Sequence, residues 1–184
     1  MKKLVILLFI LISAGPAAFA QRWAVAVSAA DAMHLGTIGL EGAVAVGQHV
    51  TVNAGARLNP WTFNEGTREQ FQTRHQTYAV GARWWPWNTY SGWWLGGKAQ
   101  YRQYNNGGIL SRETEEGDAY GLGVSGGYAV MLGQHANLDF GLGAWGGRKI
   151  YTVYACPTCG RVVEEGRKWC FLPNELTLSF QWIF

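Results

Sequence analysis

The sequence predicts an all-β protein, an eight-stranded antiparallel outer-membrane β-barrel. Three observations predict it. First, Leu176, Leu178, Phe180, Trp182 and Phe184 alternate with Glu175, Thr177, Ser179 and Gln181 at the end of the chain. Period-two alternation marks a strand with two unlike faces. A half-buried strand of a soluble sandwich shares that pattern, but an apolar face ending in Trp and Phe suits a lipid-facing band with an aromatic girdle. Second, such a strand cannot stay unpaired in hydrocarbon, where each open backbone group costs several kcal/mol, so it is expected to close onto the first strand. Third, the chain holds 25 Gly and 10 Trp. Glycine disfavours helix and permits bending and close packing, while Trp favours membrane interfaces.

The front of the chain reads as a secretory signal peptide over residues 1–20. Met1-Lys2-Lys3 is the positive start, Leu4 to Ile12 the apolar stretch and Ala18-Phe19-Ala20 the small-x-small cleavage site. No Cys follows the cut, so no lipoprotein anchor is expected. Residues 21–184 are expected to form a single barrel domain. Losing Lys2 and Lys3 lowers the formal charge from +3 to +1, a balance that suggests no nucleic-acid partner. Beyond the signal, no apolar run approaches the roughly 20 residues of a membrane helix.

The strands follow in order. The first is expected from about Arg22 to Ala29, with Trp23, Val25 and Val27 on one face. The second runs from about Gly36 to Val46, with Glu41 inward, and turns at Gly47-Gln48-His49. The third runs from Val50 to Leu58, with Arg57 inward. A long polar loop, Asn59 to His75, leads to the fourth, Gln76 to Trp85, with Arg83 inward. The fifth runs from Trp93 to Tyr101 or Tyr104, with Lys98, Gln100 and Arg102 inward. A charged, glycine-rich loop, Asn105 to Asp118, precedes the sixth, Ala119 to Met131. The seventh runs from Asn137 to Gly146, with Asn137 and Asp139 inward. Gly147 to Pro173 reads as the longest loop, before the eighth strand. Gly-Gln-His recurs at Gly133-Gln134-His135, between alternating segments again.

Export through a signal peptide places both termini in the periplasm and the four odd connections outside. The long connections then fall on the outer side, as in other barrels of this kind. Eight strands give an interior just filled by side chains. The inward set opposes Glu41, Asp139 and Glu175 to Arg22, Arg57, Arg83, Lys98 and Arg102. Such charges cannot lie unpaired in a narrow interior, so an ion-pair network plugging the lumen is expected. A small channel, favouring anions through the basic excess, is the alternative.

Cys156-Pro157-Thr158-Cys159-Gly160 is the sharpest local motif. A CxxC turn can close a disulfide, chelate zinc or carry a redox dithiol. Export favours a disulfide among Cys156, Cys159 and Cys170, and no metal or other cofactor is expected. A lipid-modifying hydrolase needs a nucleophile and a base in reach. Ser28, Asp31 and His34 are close in sequence, but neighbours in one strand and turn seldom converge. Trp84, Trp85, Trp87, Tyr90, Trp93 and Trp94 bracket a periplasmic turn as an interfacial girdle, with a carbohydrate platform as the alternative. Trp61, Phe63 and Phe71 are candidate loop contacts. Arg148, Lys149, Arg161, Arg167 and Lys168 surround the last loop, a set of charges suited to the phosphates of lipopolysaccharide or to anionic sugars.

Asn59-Pro60-Trp61-Thr62-Phe63, Arg83-Trp84-Trp85, Tyr104-Asn105-Asn106-Gly107-Gly108 and Tyr151 to Gly160 occur in that order before the final strand. Together they resemble a Bacteroidetes family of outer-membrane proteins classified as a domain of unknown function, over essentially the whole mature chain. Where family members read Gly-Pro-Thr-Lys before a Tyr-x-Phe end, this chain has Leu172-Pro173-Asn174-Glu175 and Trp182-Ile183-Phe184. The resemblance implies a role in cell-surface structure or fimbrial assembly, because family genes neighbour those of fimbrillin subunits. It implies no catalytic residue. The expected function is therefore a structural or interaction protein in contact with outer-membrane lipid and a surface or fimbrial protein. A small-solute channel and a lipid-modifying enzyme are the alternatives.

Overall fold

A computed structural model describes residues 23–33, 35–65, 70–107, 113–156 and 160–184. The expected signal peptide, Arg22, His34 and Cys159 lie outside the described residues. The elements are β1 (Trp23–Ser28), α1 (Ala29–Met33), β2 (Ile38–Ala45), β3 (Val50–Asn59), β4 (Thr62–Phe63), β5 (Phe71–Trp84), β6 (Gly92–Gly107), β7 (Thr114–Met131), β8 (Ala136–Tyr154) and β9 (Val162–Ile183). Each long strand pairs antiparallel with its neighbours, β9 closes onto β1, and β3 pairs with β5 past the two-residue β4. The result is a closed barrel of eight strands with β4 appended to β5.

Register fixes the tilt. From Phe180 on β9 the partners run through Val27, Leu40, Ala56, Tyr78, Tyr101, Tyr120 and Arg148. The row returns to β9 at Trp169, 11 residues before its start. One of these is the extra residue of a bulge. A stagger of about ten residues over eight strands inclines the strands by roughly 40°. The bulge lies where Gly143 pairs with Glu175 but Trp145 pairs with Leu172, leaving Ala144 opposite Pro173 and Asn174. A bulge is where a strand tolerates proline, which cannot donate to the ladder. It also flips the parity of β9. Leu176 and Phe180 point outward below it, Phe171 and Trp169 above it.

Alternation sorts the faces as the sequence suggests. Val25, Leu40, Val52, Val80, Leu95, Leu122, Leu142 and Leu176 are exposed on the outer wall. Alanines and polar groups, among them Ala24, Thr51, Thr77, Asn137, Ser179 and Gln181, are buried inside. Both described ends of the chain meet at the end carrying the even-numbered turns, where Phe184 N donates to Trp23 O at 2.8 Å. This is the turn end; the opposite one is the loop end.

The expected loops are corrected at the loop end. Residues 71–75 belong to β5, 105–107 to β6, 114–118 to β7, and most of 147–172 to a long β8–β9 hairpin. What read as the longest loop is therefore mainly sheet, with β8 ending at Tyr154 and β9 beginning at Val162. Polar chain paired on both sides satisfies its backbone as well as apolar chain does. β7, β8 and β9 reach 18, 19 and 22 residues, so half of the wall rises well above the other half.

Candidate functional site

The lumen is organised in layers. At the turn end an aromatic floor closes it: Trp85 and Trp94 are 0% and 2% exposed, and Tyr90 joins them. Trp85 lies 6.0 Å from Tyr90 and 6.5 Å from Trp94 between ring centroids. Trp85 Nε1 donates to Thr51 Oγ1 at 3.1 Å. Asn137 donates to Tyr90 O. Burial raises the Tyr90 phenol pKa to about 12. The expected girdle is thus corrected in part. Trp84, Trp87 and Trp93 are exposed, but Trp85, Tyr90 and Trp94 plug the barrel.

Above the floor sits the first charged layer. Arg83 Nη1 donates to Asp139 Oδ2 at 2.6 Å and Nη2 donates to Glu41 Oε1 at 2.7 Å. Trp94 Nε1 donates to Asp139 Oδ1 at 2.6 Å, and the Arg83 guanidinium lies 4.4 Å from the Trp94 ring centroid. Two donors on one carboxylate and two carboxylates on one guanidinium are what make a buried ion cluster tolerable.

The second charged layer joins Arg57, Lys98 and Glu175 to a residue supplied from outside the strands. Arg57 Nε donates to Asp31 Oδ2 at 2.8 Å, Arg57 Nη2 lies 3.8 Å from Glu175 Oε1, and Lys98 also pairs with Glu175. Asp31 comes from α1, whose backbone N–H at Asp31 donates to Ser28 Oγ at 3.1 Å. Room for it exists because β2 has glycine at 39: a Cβ there would stand 2.3 Å from Asp31 Oδ2. Between the two layers lies a cavity of about 60 Å³, lined by their charges and by small residues such as Ala26, Gly55 and Gly97. That is space for a few water molecules.

Ion pairs thus link Glu41, Arg83 and Asp139 in one layer and Arg57, Lys98 and Glu175 in the other, while Arg22 lies outside the described residues. Arg102 faces the same lumen with its Nε buried and unbonded. Asp31 adds an acid that the strand pattern did not supply. In these two layers the acids Asp31, Glu41, Asp139 and Glu175 face Arg57, Arg83 and Lys98, with Arg102 near them.

A clasp holds α1 in place. Asn59 Nδ2 donates to Leu35 O at 3.3 Å and Thr37 Oγ1 at 3.0 Å, and its Oδ1 accepts from Trp61 N at 3.1 Å. Trp61 Nε1 donates to Gly36 O at 3.0 Å. Leu35 and Gly36 both have positive φ, 53° and 74°, so the linker turns sharply under the indole. Phe63 and Phe71 stack at 5.6 Å across the β4–β5 hairpin. Trp61 and Phe63 remain about half exposed.

The two Gly-Gln-His turns do the same work. His49 O accepts from Trp85 N and His135 O from Ile183 N, each at 2.8 Å. The Nδ1 atoms then bond back to Trp85 O at 3.0 Å and Ile183 O at 2.9 Å. His75 is buried, with Nδ1 at 3.2 Å from Thr73 O.

The chemistry expected of the cysteines is corrected where it involves Cys170. Cys170 is a free thiol on the inward face of β9, its Sγ 3.6 Å from Gly147 O. No Sγ–Sγ bond joins two described cysteines, because inward-facing Cys170 sits deep in the hairpin, far in register from its turn. Of the Cys156–Cys159 motif, residues 157–159 lie outside the described residues. Among the described residues no group of three His, Cys, Asp or Glu is placed to hold a metal ion. Ser28 and Asp31 do meet, but Asp31 spends its carboxylate on Arg57. On the hairpin beyond the barrel, Tyr151 donates to Glu164, and Tyr154 Oη donates to Glu116 Oε1 at 2.7 Å. Each of those hydrogen bonds to a carboxylate raises the phenol pKa.

A closed eight-stranded barrel with an apolar outer wall and a charged, filled interior defines a class of β-barrel proteins. Within it, residues 4–184 match the family model described as "Protein of unknown function (DUF3575)", and the chain belongs to that family. No curated protein matches the chain.

Proposed function

We propose that this protein is an outer-membrane barrel with a closed lumen, acting as a membrane-anchored scaffold through the sheet that stands above the lipid. The observation that carries this is the pairing of a blocked interior with an overbuilt wall. A crossing takes about 9–11 residues per strand, and β7, β8 and β9 have 18, 19 and 22. On β6, Trp93 and Tyr101 bracket the outward apolar stretch. Eight residues at roughly 3.3 Å and a tilt of roughly 40° rise about 20 Å between them, close to the apolar band of such barrels. The turn end then faces the periplasm with both termini, and the loop end faces outward. Polar chain invested in a rigid palisade beyond the lipid suits contact with a surface partner. A fimbrial or other surface protein is the partner the family resemblance implies. We read the protein as non-enzymatic, since the interior carboxylates are held by fixed cations.

The test is purification from envelopes in mild detergent after light crosslinking, with planar-bilayer recordings on the same protein. A near-stoichiometric surface protein, lost when residues 155–161 are deleted, and a silent bilayer are expected. Steady conductance altered by Arg57→Gln would replace this reading by a small-solute channel.

A further inference from the structure

We infer that the outer wall of the β8–β9 hairpin carries a binding site for the phosphate of a membrane lipid headgroup, built from Arg148, Trp169 and Arg167. The inference rests on the membrane reading above. Arg148 and Trp169 are register partners on β8 and β9, so their side chains leave the same face side by side. Arg167 follows two residues from Trp169 on that face and is the partner of Ile150. Trp169 is 80% exposed and Phe171, next toward the barrel, 70%. Both arginines are exposed, and neither takes part in an ion pair among the described residues.

Position distinguishes this cluster from ordinary surface charge. Below it the outer wall is apolar through Leu122, Leu142 and Phe171. The aromatic row Tyr78, Tyr101 and Tyr120 leads by register straight to Arg148 and Trp169. The cations therefore begin where the apolar wall ends. A water-facing strand gains nothing from a largely exposed indole between two guanidiniums. At a bilayer boundary the same three groups have distinct partners, the indole at headgroup level and the guanidiniums on phosphate oxygens, which they meet bidentately. The acids on this face, Asp118, Glu116 and Glu165, stand on β7 or nearer the hairpin tip. Asp118 accepts from Tyr101 Oη at 2.8 Å and Glu116 from Tyr154, so two of the three are engaged away from the arginines.

The experiment reconstitutes the full-length mature barrel in vesicles of phosphatidylcholine with a minor fraction of phosphatidic acid. Insertion is scored by protease protection, and bound lipid is identified by native mass spectrometry of the protein released from them. Retention of the phosphomonoester lipid above its bulk fraction is expected, falling roughly fivefold for each arginine removed in Arg148→Gln and Arg167→Gln. Arg74→Gln, an exposed outward arginine on β5, is expected to leave retention unchanged. Insertion with no enrichment, or with enrichment equal in the double variant, overturns the lipid site and leaves the membrane reading standing. Failure to insert even into phosphatidylcholine overturns both. Enrichment lost equally in Arg74→Gln reduces the effect to net charge and also overturns the site.

Discussion

Arg83 of β5 grips Asp139 of β8 across the barrel, Nη1 to Oδ2 at 2.6 Å, between strands that share no backbone ladder. The pair ties opposite walls together just above the aromatic floor. Asp139 is 1% exposed, so removing its partner strands a charge away from water. Arg83→Gln is expected to cost about 3–5 kcal/mol, read as an earlier urea midpoint of the folded barrel. An unchanged midpoint would mean that water, not Arg83, solvates Asp139.

Trp94 occupies space left for it by two glycines. A Cβ at Gly141 would stand 2.7 Å from Trp94 Cζ2, and one at Gly127 would stand 2.6 Å from the same atom. Gly141→Ala is expected to destabilise by about 1–3 kcal/mol through overpacking. Trp94→Phe loses the bond to a charged carboxylate, about 1.5–3 kcal/mol, but makes room. In the Trp94→Phe background Gly141→Ala is expected to cost less, by the same urea titration. Equal cost in both backgrounds would place the clash on the neighbouring backbone.

Much of this interior is legible in the sequence because period-two alternation survives wherever a strand carries an apolar outer face and a polar face toward the lumen. It assigns Glu41, Arg57, Arg83, Lys98, Asp139 and Glu175 inward without reference to any partner. The same parity, with Trp93 outward, places Trp94 beside Lys98; the abundance of tryptophan at that turn suggested a girdle and masked it. Asp31 belongs to no strand, so no alternation points it anywhere, and only the tight fit against Gly39 reveals its place. The long hairpin was hidden for two reasons. Both of its faces carry charged side chains, Arg148 and Arg167 outward and Lys149 and Lys168 inward, which removes the apolar period, and the bulge at Pro173–Asn174 shifts the outward set from Leu176 to Phe171. The Asn59-Pro60-Trp61 motif was visible as a motif, but its task as a clasp depends on two carbonyls and a hydroxyl 22 to 25 residues away.

That clasp predicts a local effect. Asn59→Ala removes three hydrogen bonds centred on a buried amide, each contributing about 0.5–1.5 kcal/mol. Faster amide exchange is expected across residues 35–37 and α1, with the floor around Trp85 unaffected, because local opening follows local bonding. Trp61→Phe, which removes one exposed bond to Gly36 O, is expected to do less. Uniformly faster exchange around the barrel would show that Asn59 supports global rather than local stability.

The fit between Asp31 and Gly39 allows a sharper test, because the two substitutions should not add. Gly39→Ala puts a methyl group 2.3 Å from Asp31 Oδ2, so either the side chain leaves the lumen or β2 shifts. If the carboxylate leaves, Arg57 loses its closest acid and keeps only the 3.8 Å contact with Glu175. Asp31→Ala loses the same pair and empties the space the methyl needs. Gly39→Ala alone is expected to cost about 1–3 kcal/mol. Added to Asp31→Ala it is expected to cost little, a coupling on the order of 1–3 kcal/mol for residues in contact. The four urea midpoints of the cycle measure it. Simple additivity would mean that Gly39 is required by β2 itself, and that Asp31 enters the lumen for reasons other than the room glycine leaves.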